Sequence, residues 1–98
     1  MPIYVVELAF DQDDDYRLSV RPAHRTYLAG LHATGALRMA GPLADGSGAL
    51  LVYDVADRAA LDDVLADDPY FAGAQPAASV TSVREWAVLD LGEAGATG

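Results

Sequence analysis

Few side chains in this 98-residue chain can move a proton near neutral pH, since it has two histidines and no cysteine. His24 closes the step Arg21-Pro22-Ala23-His24. Imidazole is the one side chain whose ordinary pKa lets it take up and release protons around neutrality. Asp68, in the step Asp67-Asp68-Pro69, is the matching carboxylate. A carboxylate beside an imidazole fixes its tautomer and stabilises its protonated form. Arg17, Arg21 and Arg25 recur at four-residue steps around His24, and guanidinium groups hold carboxylates, phosphates or phenolates. Together these residues point to proton transfer on a small anionic or phenolic metabolite. Each also has a plainer reading. His24 then bonds a backbone carbonyl, Asp68 is a solvated turn residue of the Asp-Pro kind, and the arginines pair with the acidic stretch upstream. Spacing alone does not carry Asp68 to His24, and Asp67 competes for the role from the solvent side.

Other chemistries find less support. The absence of cysteine excludes disulfide scaffolds, zinc ribbons and thiol nucleophiles. His32 has no partner at metal-ligand spacing, so neither a metal nor a cofactor is expected. The runs Asp13-Asp14-Asp15 and Asp62-Asp63 lack the glycine and terminal glutamate of a calcium loop. Gly46-Ser47-Gly48 is followed by neither Lys nor a helix, so it is no phosphate loop. Ser19, Ser47, Ser79 and Ser82 sit in no Gly-x-Ser-x-Gly context. Fifteen acidic against six basic residues, all of them Arg, give a net charge of −9, which argues against nucleic acid as a partner. No apolar run approaches the roughly 20 residues of a membrane span. The first ten residues lack the basic start of a signal peptide. The expectation is a cytoplasmic protein that binds no membrane.

The elements that must position these residues follow from pattern. Ile3 to Phe10 is rich in β-branched and aromatic residues and reads as a strand. Tyr4, Val6, Leu8 and Phe10 face one side; Ile3, Val5, Glu7 and Ala9 face the other. Asp11 to Asp15 reads as a solvated loop. Pro22 suits the first turn of a helix, which runs to about Thr34 and stops at Gly35. Tyr27, Leu28 and Leu31 form its buried stripe, and His24 extends that stripe at the helix N-terminus, where the dipole favours neutral imidazole. Ala36 to Ala40 and Ala49 to Val55 read as two strands of a hairpin, broken by Gly41-Pro42 and a flexible turn. Asp57 caps a second helix through about Ala66, and Asp67 to Phe71 ends it. Ser79 to Leu89 reads as the last strand.

The order β-α-β-β-α-β predicts an α+β, ferredoxin-like fold: a four-stranded antiparallel sheet with two helices on one face. Residues 1–91 are expected to form one domain and residues 92–98 a tail. The helices cover only one side of the sheet. The first strand is apolar on both sides, and Leu50, Val52, Trp86 and Val88 add to the uncovered face. A second copy, sheet against sheet, is the simplest cover for so small a chain, which predicts a homodimer.

Arg-Leu-Ser-Val-Arg-Pro-Ala-His at 17–24, Gly41-Pro42-Leu43 and Asp68-Pro69-Tyr70 together resemble the YCII-related (YciI-like) family over Ile3 to about Val88. The resemblance implies a dimeric α+β barrel and an active-site pocket built around His24 and Asp68. It places Arg21 at the pocket mouth and Gly41, Pro42 and Tyr70 in the substrate-binding lining. Most members have no known function; a related one is similar to a dehydrochlorinase that removes HCl from a chlorinated hydroxyquinol. The expected function is therefore a small cofactor-free enzyme, lyase- or isomerase-like or a hydrolase, with the His-Asp pair moving the proton. The alternative is a non-catalytic dimer that binds a small ligand or serves as an accessory protein.

Overall fold

Alternating apolar residues build the sheet, and a single long helix supplies most of its cover. The computed structural model describes residues 1–11 and 14–92. The elements are β1 (Ile3–Phe10), α1 (Asp14–Thr34), β2 (Leu37–Pro42), β3 (Gly48–Asp54), α2 (Arg58–Asp67), α3 (Pro69–Ala72) and β4 (Ala78–Glu85). The strands lie in the order β2-β3-β1-β4, with every neighbouring pair antiparallel. This is the ferredoxin-like arrangement with one short helix added. No described helix is long and apolar enough to cross a membrane.

The register brings Tyr4, Val6 and Leu8 of β1 opposite Tyr53, Leu51 and Ala49 of β3. All six are buried on the helix-covered face, as the alternation in β1 requires. Leu37, Val55, Leu61, Tyr70, Ala77 and Ala78 complete this core, and Tyr16, Val20, Leu28 and Leu31 of α1 pack onto it. Gly48 is required where β3 passes β1, because a Cβ there would collide with the Leu8 carbonyl. Thr81 is the extra residue of a bulge between β1 and β4, and its hydroxyl bonds Glu7 O at 3.1 Å.

Helix α1 starts eight residues before the position expected from Pro22, which lies inside it. A proline there removes one helical hydrogen bond and crowds the preceding turn, at a cost of about 3 kcal/mol. Burial of Tyr16 and Val20 on the upstream turns offsets that cost, and Asp14 and Asp15 complement the dipole in the first turn. The acidic stretch is therefore partly helix; its residues 12 and 13 lie outside the described residues. His24 consequently sits in mid-helix. The dipole argument made for it does not apply, since the effect fades within the first turn.

Further boundaries moved. Gly41-Pro42 does not break the hairpin strand: β2 runs through both, paired with Leu50 and Ala49 of β3, since an edge strand tolerates a proline. Asp67 to Phe71 does not simply end α2: Asp68 closes α2 and caps α3, which begins at Pro69. Strand β4 stops at Glu85 rather than Leu89, because Trp86 N already bonds Ile3 O at 2.7 Å and β1 offers no partner beyond it. Of the expected tail, residues 93–98 lie outside the described residues.

The other sheet face carries no helix among the described residues. Val5, Glu7, Leu50, Val52, Ser82, Arg84 and Trp86 line a shallow concavity there. Met39, Trp86 and Val88 are 66%, 50% and 53% exposed.

Candidate functional site

His24 projects from the middle of α1 toward the junction of α2 and α3. Its Nδ1 lies 2.7 Å from Asp68 Oδ1, across 44 residues of sequence. The two residues are only 7% and 0% exposed. Asp68 Oδ1 also accepts from the Tyr70 N–H at 2.9 Å, capping α3. Pro69 at the first helical position has no N–H to satisfy, which suits that cap. Asp68 therefore gains from a helix N-terminus rather than standing as a solvated turn residue. Its own helix ends there, but the next one starts there.

The His24 ring lies flat on the Tyr70 ring, with centroids 3.7 Å apart and planes 2° from parallel. Phe10 meets Tyr70 edge-on at 6.4 Å. One stacking contact and one hydrogen bond thus hold the imidazole in place, and Phe10 braces the stacked Tyr70 ring. With an ionised carboxylate accepting at Nδ1, that nitrogen keeps its hydrogen in the neutral ring, and Nε2 carries the lone pair.

His24 forms part of the wall of a cavity of about 400 Å³. The cavity opens between α1 and the β2–β3 part of the sheet. Its lining includes Arg17, Arg21, Arg25 and Leu28 of α1, Gly41 and Pro42 of β2, and Tyr70. One chain thus brings together His24, Asp68, Arg21, Gly41, Pro42 and Tyr70, with Asp68 directly behind the lining. The pocket lies on the helix-covered face, opposite the bare sheet face.

The arginines divide. Arg17 bonds Asp14 at 3.1 Å and stacks over Phe10 at 4.2 Å, so the plainer reading of pairing with the acidic stretch holds for it. Arg21, half-buried, and Arg25, exposed, have no hydrogen bond or ion pair among the described residues. Arg21 lies on α1 itself rather than before it. His32 is satisfied by Leu37 O at 3.0 Å. Among the described residues no three His, Cys, Asp or Glu side chains converge on a metal position.

Sequence reasoning missed Phe10, Leu28, Ala40, Ala49 and Leu51 as lining residues. For Phe10 the signal was present, since it shares a strand face with Leu8. The others become lining only through the docking of α1 on the sheet. Burial pushes the Tyr27 phenol up, helped by the charges of Asp67 and Asp68. Its hydroxyl donates to Val64 O at 2.6 Å and ties α1 to α2.

Among curated proteins none matches this chain. Among solved structures, one likeness is to the 5-chloro-2-hydroxyhydroquinone dehydrochlorinase of Burkholderia phenoliruptrix AC1100, in complex with 2,5-dihydroxybenzoquinone. The TM-score is 0.68 at 17% identity, over 86% of this chain and 92% of that one. At that identity the likeness is one of fold. The family model of the YCII-related domain matches residues 3–87, so the chain belongs to the YCII-related domain family.

Proposed function

We propose that the chain is a small enzyme in which His24 transfers a proton to or from an anionic or phenolic metabolite, oriented by Asp68. The observation that carries this reading is the 2.7 Å bond between two buried groups at the wall of a cavity. His24 Nε2 takes the proton, and Asp68 stabilises the imidazolium that results. In an elimination the electron pair of the broken bond forms the new double bond and the leaving group departs with its own pair. In a hydrolysis the same nitrogen deprotonates water. Arg21 holds the anionic end of the molecule, and Gly41, Pro42 and Tyr70 shape its seat. The cavity suits a molecule of about one ring, and the fold neighbour's quinone ligand agrees with that class.

A panel of small hydroxylated aromatics, followed in deuterated solvent, tests this. His24→Ala should lower turnover by about 10²–10⁴, the range of a placed general base. An unchanged rate removes His24 from the chemistry. A second reading, a ligand-binding protein without turnover, draws on the capping role of Asp68, which gives the pair a structural use of its own. A ligand recovered unchanged and without deuterium would favour it.

The same proposal includes a homodimer. The helix-free sheet face carries Met39, Leu50 and Trp86 at its surface, and a second copy is the occupant that fits a matching apolar face. Trp86→Glu should turn a sedimenting dimer into a monomer; a wild-type monomer at micromolar concentration would refute the pairing.

A further inference from the structure

Helix α1 carries Arg17, Arg21 and Arg25 at four-residue steps, so they share one face of the helix. All three line the cavity that His24 walls. The chain as a whole is strongly negative, with fifteen acidic residues against six basic ones. Yet among the described residues lining this cavity there is no Asp or Glu. Asp68, behind the lining, is engaged by His24 and by the Tyr70 N–H.

The three cations are not equivalent. Arg17 is matched by Asp14 and lies over the Phe10 ring. Arg21 and Arg25 have no hydrogen bond or ion pair among the described residues. Like charges one turn apart oppose the helix that bears them. Acidic partners are plentiful elsewhere, and Arg38 and Arg58 each hold one. Two positive charges therefore line this cavity without a counter-charge.

The sheet side of the cavity is apolar, with Ala40, Pro42, Ala49 and Leu51 in the lining. A molecule seated there lays its hydrocarbon body on the sheet and turns its charges to α1. Guanidinium forks match carboxylates two bonds at a time. Phosphate groups, by contrast, are commonly met by backbone N–H groups at a helix start or in a tight nest. Arg21 and Arg25 stand in mid-helix, where the backbone N–H groups are already spent on the helix. Four residues of helix rise about 6 Å, which suits two acidic groups on one small body, one for each guanidinium.

We infer that the ligand of this cavity is a dicarboxylate about one ring in size. Arg21 holds one carboxylate and Arg25 the other, so Arg25 selects a dianion over a monoanion. This narrows the anionic class proposed above and rests on the same cavity being the ligand site. It does not depend on proton transfer by His24.

The test is calorimetry on the full chain, at a pH where every probe is fully ionised. The probes are benzoate, the benzenedicarboxylate isomers and phenyl phosphate. At least one dicarboxylate should bind about 10- to 100-fold more tightly than benzoate, the value of one further charge-assisted hydrogen bond. It should also bind more tightly than phenyl phosphate. Arg25→Gln should bring that dicarboxylate down to the level of benzoate and leave benzoate itself unchanged, whereas Arg21→Gln should weaken both. Arg25 is exposed, so Arg25→Gln should unfold like wild type. Arg58→Gln, outside the cavity lining and paired with Asp62, should change neither affinity.

The inference is overturned if no benzenedicarboxylate binds more tightly than benzoate, or if phenyl phosphate binds more tightly than all of them. It is overturned equally if Arg58→Gln costs as much as Arg25→Gln, since the effect is then one of net charge. An Arg25→Gln that weakens benzoate and dicarboxylate alike removes the selective role. None of these readouts needs turnover, and His24→Ala should keep the preference. Dicarboxylate preference without proton exchange in the metabolite panel removes the catalytic reading alone. Turnover of singly charged or neutral phenols, with no dicarboxylate preference, removes this inference alone.

Discussion

Asp68→Ala is the perturbation whose size can be worked out most fully. The carboxylate accepts two buried hydrogen bonds, from His24 Nδ1 at 2.7 Å and from Tyr70 N–H at 2.9 Å. A hydrogen bond to a charged group contributes about 1.5–3 kcal/mol. Loss of an N-cap costs about 0.5–2 kcal/mol. The sum is about 2–5 kcal/mol, a large part of the about 5–15 kcal/mol that holds a typical domain together. For a chain of this length each kcal/mol moves the unfolding temperature by about 4–8 °C. Asp68→Ala should therefore lower it by roughly 8–40 °C. Asp68→Asn keeps an acceptor for the cap but loses the charge, so it should fall between wild type and Asp68→Ala. Asp67→Ala, one residue earlier and exposed, should stay within about ±0.5 kcal/mol. Circular dichroism through urea and thermal unfolding makes the comparison. If Asp68→Ala costs no more than Asp67→Ala, the buried pair does not carry the stability assigned to it.

Arg17→Ala should destabilise by about 0.5–2 kcal/mol through loss of the Phe10 contact, measurable by urea unfolding. Arg21→Ala should leave stability alone and weaken binding of an anionic ring compound about 10- to 100-fold by calorimetry, the value of a charge-assisted hydrogen bond. Gly48→Ala drives a methyl into the Leu8 carbonyl and should cost about 1–3 kcal/mol or more; Gly41→Ala, with open space around it, should unfold like wild type. Arg38 bonds Asp54 through Nε and Nη2 at 3.0 and 2.7 Å and holds its carboxyl below the ordinary range. The stability this contributes is present above the unfolded value of about 4 and lost as pH falls through the lower folded value. Arg38→Ala should accordingly flatten the acid side of a urea-midpoint-against-pH curve.

The fold was legible because strand runs, helical stripes and turn residues follow one another in the order β-α-β-β-α-β. Which face of β1 lies inside was not, since β1 is apolar on both sides, and only the docking of α1 chooses Tyr4, Val6 and Leu8. The start of α1 was not legible, because Pro22 and the acidic run around Asp14 argue locally for a break. What overrides them is burial of Tyr16 and Val20, a contact made only in the packed state. The same limit hid the cap on α3. Asp-Pro reads as a stop, and nothing local says that a four-residue helix begins at once. Within the site, His24 and Asp68 came from residue chemistry and resemblance, and their meeting came from the docking of α1 against the α2–α3 junction.

Helix α1 offers the cavity Arg17, Arg21, His24 with Arg25, and Leu28, roughly one group per turn. The inner turn is anchored by Asp68 and Tyr70, whereas the outer residues Arg21 and Arg25 have no such tether. Selectivity can therefore drift by replacing rim side chains singly, with neither backbone nor imidazole disturbed. On the proposed reading of His24, a lineage carrying this rod can explore new molecules while the buried pair behind them stays the same.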